Sequence, residues 1–143
     1  MFYIVAGLIL IIIVILLFRK KTRPLKSSNK LQSLKERLVP LDPRIEELNF
    51  YTDQQGSYTI HKKDIFICLK GEDGKLPDDN FLTYIAIHEI SHALVPGDTS
   101  DHPPSFQREF KTLLGKATER GLYDPSIPFP RAYCSKSIES YRA

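Results

Sequence analysis

The 143-residue sequence predicts an α+β fold: a small sheet packed on two long helices, preceded by one N-terminal transmembrane helix. Three observations predict it. Two short β-rich runs, Ser57–Lys62 and Asp64–Lys70, stand next to each other. Two runs of helical length follow, 81–95 and 103–120, divided by Pro96-Gly97. An uncharged apolar stretch occupies residues 2–18.

The overall hydrophobic content of 42% is unevenly spread, because residues 2–18 are nearly all Ile, Leu, Val or Phe. The remaining chain is polar and has room for one lean domain, which excludes multidomain enzymes, repeat arrays and polytopic membrane proteins. Two cysteines, Cys68 and Cys134, exclude a disulfide-rich scaffold. The net charge of +3 is segregated. Arg19, Lys20, Lys21, Arg23, Lys26, Lys30, Lys35 and Arg37 face only Glu36, whereas 38–143 holds 12 basic and 16 acidic side chains, a net −4. A basic neck on a mildly acidic body argues against direct nucleic-acid binding.

A helix over 2–18 spans roughly 26 Å, enough for a thin membrane. No Lys or Arg precedes it and Arg19-Lys20-Lys21 follows it, which reads as a retained anchor rather than a cleaved signal. The positive-inside rule then places the C-terminal domain in the cytosol and the bilayer contact in residues 2–18. Residues 19–40 form a basic linker and a short amphipathic helix, Lys30–Val39, with Leu31, Leu34 and Leu38 on one face and Pro40 and Pro43 at its end. Residues 41–143 form the functional domain.

Gly71–Gly74 predicts a turn, and Asp78-Asp79-Asn80 offers N-caps for a helix from Phe81 to Val95. That helix is apolar on every side, the pattern of a central buried element. The second long helix runs from about Pro103 to Arg120, with Asp101 as N-cap, a buried stripe of Phe106, Phe110, Leu113, Leu114 and Ala117, and Gly121 at its C-terminus. The proline-containing remainder predicts an irregular wrap.

The buried helix carries His88-Glu89-Ile90-Ser91-His92. Histidines at i and i+4 share a face and reach one metal ion, and Glu89 beside them reaches a metal-bound water without ligating. Zn²⁺ brings the pKa of such a water toward neutrality, so Glu89 is the expected general base, passing the proton on to a leaving amine. Burying two imidazoles and a carboxylate without such a use is costly. A catalytic zinc needs a third protein ligand and an open position. His102 is the leading choice, Glu109 the rival, and Asp98 and Asp101 weaker options; His61, in a strand, reads as structural or surface-exposed.

The run 82–93 with its His-Glu-x-x-His core, followed by Asp101-His102-Pro103-Pro104-Ser105-Phe106, resembles zincin metallopeptidases of the SprT and WLM type. A third histidine there precedes a helix in a His-x-x-x-Phe pattern, matched by His102 and Phe106. Strand 64–70, Gly121–Asp124 and Tyr133-Cys134 look like small membrane-anchored metallopeptidase-like proteins of large DNA viruses, placing the anchor in a host or virion membrane. The likeness covers roughly residues 45–135, lacks the longer metzincin spacing, and admits no Met-turn, since Met1 is the sole methionine.

The resemblance implies a minimal zincin-like domain binding Zn²⁺ through His88, His92 and His102, with Glu89 catalytic and a protein or peptide as substrate. It also implies that Asp64–Lys70 is the edge strand on which the substrate adds. Tyr123, Arg131 and Tyr133 are the oxyanion-stabilising choices. Cys68 and Cys134 are expected as reduced thiols in a cytosolic domain, with a mutual disulfide as the alternative. Two other functions stay open: a zinc-stabilised, non-catalytic membrane or virion interaction module, and a SprT-like protease of DNA-bound proteins.

Overall fold

Leucines three and four residues apart give the first described helix its buried face. α1 (Asn29–Leu38) is capped by Ser28 Oγ, which accepts from Leu31 N at 3.2 Å, and Leu31, Leu34 and Leu38 are fully buried. The computed structural model describes residues 28–71, 73–134 and 136–142. The proposed transmembrane helix at 2–18 and the linker up to residue 27 lie outside the described residues. Among the described residues, no helix is long and apolar enough to cross a membrane.

Two 3-10 turns, Val39–Leu41 and Pro43–Glu47, bring the chain from α1 to a sheet of three strands: β1 (Asn49–Asp53), β2 (Tyr58–Ile60) and β3 (Asp64–Cys68). The order is β1-β3-β2. β1 runs parallel to β3 with Asn49 opposite Asp64, and β2 runs antiparallel with Tyr58 opposite Phe66. β3 is therefore central and β2 is the edge strand beside the helix that carries His88 and His92, so the expectation that 64–70 forms the edge is corrected. β1 carries no apolar alternation that would have announced it, since Phe50 is its one buried residue. The β2–β3 turn is closed by Lys63 N donating to Ile60 O, with His61 (φ 53°) and Lys62 (φ 57°) both left-handed. Tight hairpins require that handedness, which costs non-glycine residues energy.

α2 (Asp79–Leu94) begins where Asp78 Oδ1 accepts from Phe81 N at 2.8 Å. It is buried continuously from Phe81 to Ser91 and packs against β3, β2 and α3 (Pro104–Glu119). Phe106, Phe110, Leu113 and Ala117 form the buried stripe of α3, with Leu114 half-buried beside it. Pro103, rather than Asp101, is the N-cap residue of α3, and no side chain caps it. The C-terminus of α3 closes as a Schellman motif: Gly121 N donates to Thr118 O and Leu122 N to Ala117 O.

The C-terminal wrap is more ordered than the prolines imply. Asn80 clamps Asp124 through both side-chain atoms, donating to Asp124 O and accepting from Asp124 N. A two-residue hairpin, β4 (Ala132–Tyr133) and β5 (Lys136–Ser137), and a 3-10 turn (Ile138–Tyr141) then fold back on the sheet. Cys134 N donates to Lys70 O, and Cys134 is disulfide-bonded to Cys68. The expectation of reduced thiols is corrected. The hairpin carries Cys134 to the end of β3, a juxtaposition 66 residues apart in sequence.

Gly121 sits at φ 69° with open space around its Cα, so conformation alone demands glycine there. Gly121→Ala is expected to cost about 1 kcal/mol and lower the melting temperature by roughly 4–8 °C, measured by thermal unfolding; an unchanged midpoint would contradict the cap assignment.

Candidate metal centre

One helical turn separates His88 from His92, and α2 aims both Nε2 atoms at the same point, 3.2 Å apart. The loop after α2 reverses at Gly97 (φ 82°) and delivers His102 in a left-handed conformation (φ 50°), fixed by His102 N donating to Thr99 O. His102 Nε2 then lies 3.2 Å from His92 Nε2. Phe106, fully buried on the first turns of α3, backs all three rings. Its centroid is 5.1, 4.4 and 4.5 Å from those of His88, His92 and His102.

This spacing fits a metal. Three nitrogens at 2.0–2.1 Å from a tetrahedral zinc would stand about 3.3 Å apart. Without a cation, the three atoms crowd lone pairs together, because one proton on His92 Nε2 can serve only one neighbour. Burial, joined by the neighbouring imidazoles, pushes the His88 pKa down to about 3. Burial, His102 and Lys62 push His92 down to about 4, and burial also lowers His102. All three are neutral at pH 7, the ligating form. His88 Nδ1 is buried without a hydrogen-bond partner among the described residues. Such an orphan costs roughly 1–3 kcal/mol, which fits a ring held in place for its other nitrogen.

The second layer was not legible in the sequence. Thr99, 4% exposed, places Oγ1 2.8 Å from His92 Nδ1. With Nε2 as the ligand atom, Nδ1 carries the proton and donates it to Thr99. Lys62 Nζ donates to the same Oγ1 at 3.2 Å and to His92 O at 2.8 Å. Its charge thus meets a carbonyl left open at the C-terminal end of α2.

Glu89 is 3% exposed, and burial pushes its pKa up to about 8, opposed by a hydrogen bond from Thr59. Thr59 Oγ1, on edge strand β2, lies 2.8 Å from Glu89 O and 3.0 Å from Glu89 Oε2. Thr59 has one hydroxyl proton, which it can donate to Glu89 O or to Glu89 Oε2.

The histidines and Glu89 open onto a cavity of about 510 Å³, whose rim includes Ser57, Lys62, Asp98 and Tyr141. Of the third-ligand choices, only His102 joins the cluster. Glu109 is 2.8 Å from Arg44, which also holds Asp42. Asp98 accepts from Ser100 N, and Asp101 is exposed. His61 is exposed at the cavity rim and outside the triad. None of the three oxyanion choices lines this cavity. Tyr123 lines a different one with Tyr84 and Phe129, Arg131 is exposed elsewhere, and Tyr133 is buried behind the sheet, donating to Cys68 O. Tyr141 occupies that position instead, its hydroxyl accepting from Ser57 N at 3.2 Å. No pattern in the sequence singles it out.

Three viral proteins resemble the chain. An uncharacterized protein of invertebrate iridescent virus 6 is 43% identical over 81 residues, covering 54% of this chain and 44% of the relative. One of invertebrate iridescent virus 3 is 35% identical over 102 residues, covering 67% and 62%. One of Acanthamoeba polyphaga mimivirus is 28% identical over 120 residues, covering 78% and 59%. The chain thus spans about half to three fifths of these relatives, and their source supports a viral origin. No protein-family model matches the chain, and no solved structure does.

The shifts fix how the metal-free protein responds to pH. Histidines with lowered folded pKa values contribute stability that is present above the ordinary value of 6.5 and lost as pH falls toward 4 and 3. Glu89, raised from 4.5 to about 8, contributes stability that is present below 4.5 and lost as pH rises through 8. Between these limits the histidines outnumber the glutamate, so the joint contribution peaks close to pH 6.5. Urea unfolding of chelator-treated protein should show that maximum, and Glu89→Gln should flatten the alkaline side; an alkaline limb unchanged by the substitution would contradict the raised carboxyl.

Proposed function

We propose that the chain is a zinc-dependent metallopeptidase of zincin type, anchored to a membrane through residues 2–18. The observation that carries this reading is the convergence of His88, His92 and His102, with His92 Nε2 3.2 Å from each of the other two Nε2 atoms, beside a cavity that Glu89 also lines. His88, His92 and His102 would hold the ion. Zn²⁺ bound there supplies a Lewis acid that acidifies a water and polarises a carbonyl. Glu89 takes the proton of the attacking water and delivers it to the leaving amine nitrogen. A cation in the cradle favours the ionised carboxylate, the form a base requires.

The substrate is a polypeptide in extended conformation. β2 has one unpaired edge, with Tyr58 and Ile60 exposed on it and Thr59 turned toward Glu89. A peptide added to that edge pairs by its backbone, giving affinity with little sequence demand. The net −4 of residues 38–143 speaks against proteolysis of DNA-bound proteins. The disulfide sets a condition on location: it persists only where thiols are not kept reduced.

Metal analysis and a peptide-cleavage assay test the reading together. Glu89→Gln should retain one zinc per chain and lose at least about 10²-fold in kcat, the lower range of general acid–base catalysis. His102→Ala should lose zinc, whereas Glu109→Ala should keep it. Cleavage that survives Glu89→Gln would overturn the mechanism. Zinc bound at full occupancy with no peptide cleaved would replace it with the non-catalytic interaction module.

The layer behind the ligands gives a separate expectation. Thr99→Val removes the acceptor of His92 Nδ1–H at nearly constant shape and should weaken zinc roughly 10- to 100-fold in chelator competition. Unchanged affinity would show that Thr99 does not orient the ring.

A further inference from the structure

The C-terminal segment, 132–134 and 136–141, brings Tyr141 to the cavity, and among the described residues little backbone pairing holds it. β4 and β5 are two residues each, and beyond them, among the described residues, Cys134 N to Lys70 O and the bridge between Gly71 and Tyr133 join the segment to the rest. The covalent tie is the disulfide from Cys134 to Cys68 at the end of central strand β3.

From that tie a continuous set of contacts leads to the cavity. Tyr133 donates to Cys68 O and lies 2.9 Å from Ser57 Oγ, while Cys68 N donates to the same Ser57 Oγ at 2.9 Å. Ser57 N donates to Tyr141 Oη, and the Tyr141 ring packs on Tyr133 with centroids 5.3 Å apart. The Ser57 bond uses a lone pair of the Tyr141 oxygen. It leaves the phenolic proton free to be donated on the cavity side, where His88 lies 6.4 Å away, centroid to centroid.

We propose that residues 132–141 form a disulfide-fastened strap which completes the substrate site: while Cys68 and Cys134 are bonded, Tyr141 donates its phenolic hydrogen bond to the carbonyl oxygen of the peptide being cleaved, and reduction withdraws it. The Tyr141 role rests on the peptidase reading above; the fastening of the strap does not. Reduction by a small dithiol adds two electrons and two protons across the S–S bond, giving two thiols, while the reductant closes its own disulfide. The metal ligands lie on α2 and just before α3, outside the strap, so they stay in place when it loosens. The site is then complete in an oxidising milieu and incomplete in a reducing one.

The test uses the full chain, oxidised, reduced by dithiothreitol, and reoxidised. Hydrogen exchange should show that reduction exposes the Ser57 amide and residues 132–141, while α2 stays protected and zinc content is unchanged. Reoxidation should restore protection. For peptide cleavage, Tyr141→Phe should lower kcat about 10²-fold, the scale of a lost oxyanion donor, with KM, zinc and disulfide retained. Reduction should lower it similarly, and reduction of the Tyr141→Phe variant should add nothing. Unaltered exchange on reduction overturns the strap, and a fully active Tyr141→Phe overturns the donor role. If the oxidised parent cleaves no peptide, the peptidase reading and the donor role fail together, and exchange still decides whether the disulfide fastens the strap.

Discussion

Everything in this molecule is arranged around the desolvation of one helix. α2 is buried from Phe81 to Ser91, and two of its buried residues are His88 and Glu89. An apolar helix could simply be packed over; one carrying an imidazole and a carboxyl must be supplied with partners or it will not stay buried. Edge strand β2 supplies Thr59 to Glu89. The loop after α2 supplies Thr99 to His92 and returns His102 to the same point. α3 supplies Phe106 as a common backing for the rings. Each element borders α2 on the side where a polar group needs an answer, and the cavity remains where none is filled by protein.

The ion-binding part of this arrangement was legible because it is local. His88 and His92 are one turn apart in a run free of Gly and Pro, so helix geometry puts them on one face, and the Pro96-Gly97 break made His102 the leading of several choices for the third position. Leu31, Leu34 and Leu38 were legible for the same reason. What was hidden depends on pairing between distant segments. Which of two neighbouring strands lies at the edge is decided by β1, whose sequence shows almost no apolar alternation and which inserts no signal of its own parallel pairing. The expected edge strand is therefore the central one. Tyr141 reaches Ser57 across 84 residues and Cys134 reaches Cys68 across 66, through a tail whose prolines read as irregular. A hydroxyl such as Thr59 or Thr99 is one among many, and only tertiary structure gives it an address.

Lys62 shows how strain and function are tied. It sits, with His61, in a left-handed turn that would suit Asn-Gly far better. The turn nonetheless brings the ammonium over the end of α2, where it meets His92 O and Thr99 Oγ1. These charge-assisted bonds are of the same order as the conformational cost, about 1–3 kcal/mol. Glycine in place of Lys62 would relax the turn but remove the ammonium that meets His92 O and Thr99 Oγ1. Strain is therefore tolerated at this turn bordering the candidate metal centre, as it is at His102 in the loop after α2.

A lean core explains why two kinds of crosslink occur in so small a body. The disulfide closes a loop of 66 residues that contains α2, α3 and all three histidines. Loop-closure reasoning assigns such a bond about 4 kcal/mol of stabilisation, a large share of the net stability of a small domain. A metal in the histidine cradle would add a second tie, between α2 and the start of α3, inside that same loop. The two ties would act on different sides of the cavity: a metal would join the elements that carry the histidines, and the disulfide ties down the segment that carries Tyr141. The two ties share no residue, so a bound metal and the disulfide would constrain the domain independently, a division that a larger apolar core would have made unnecessary.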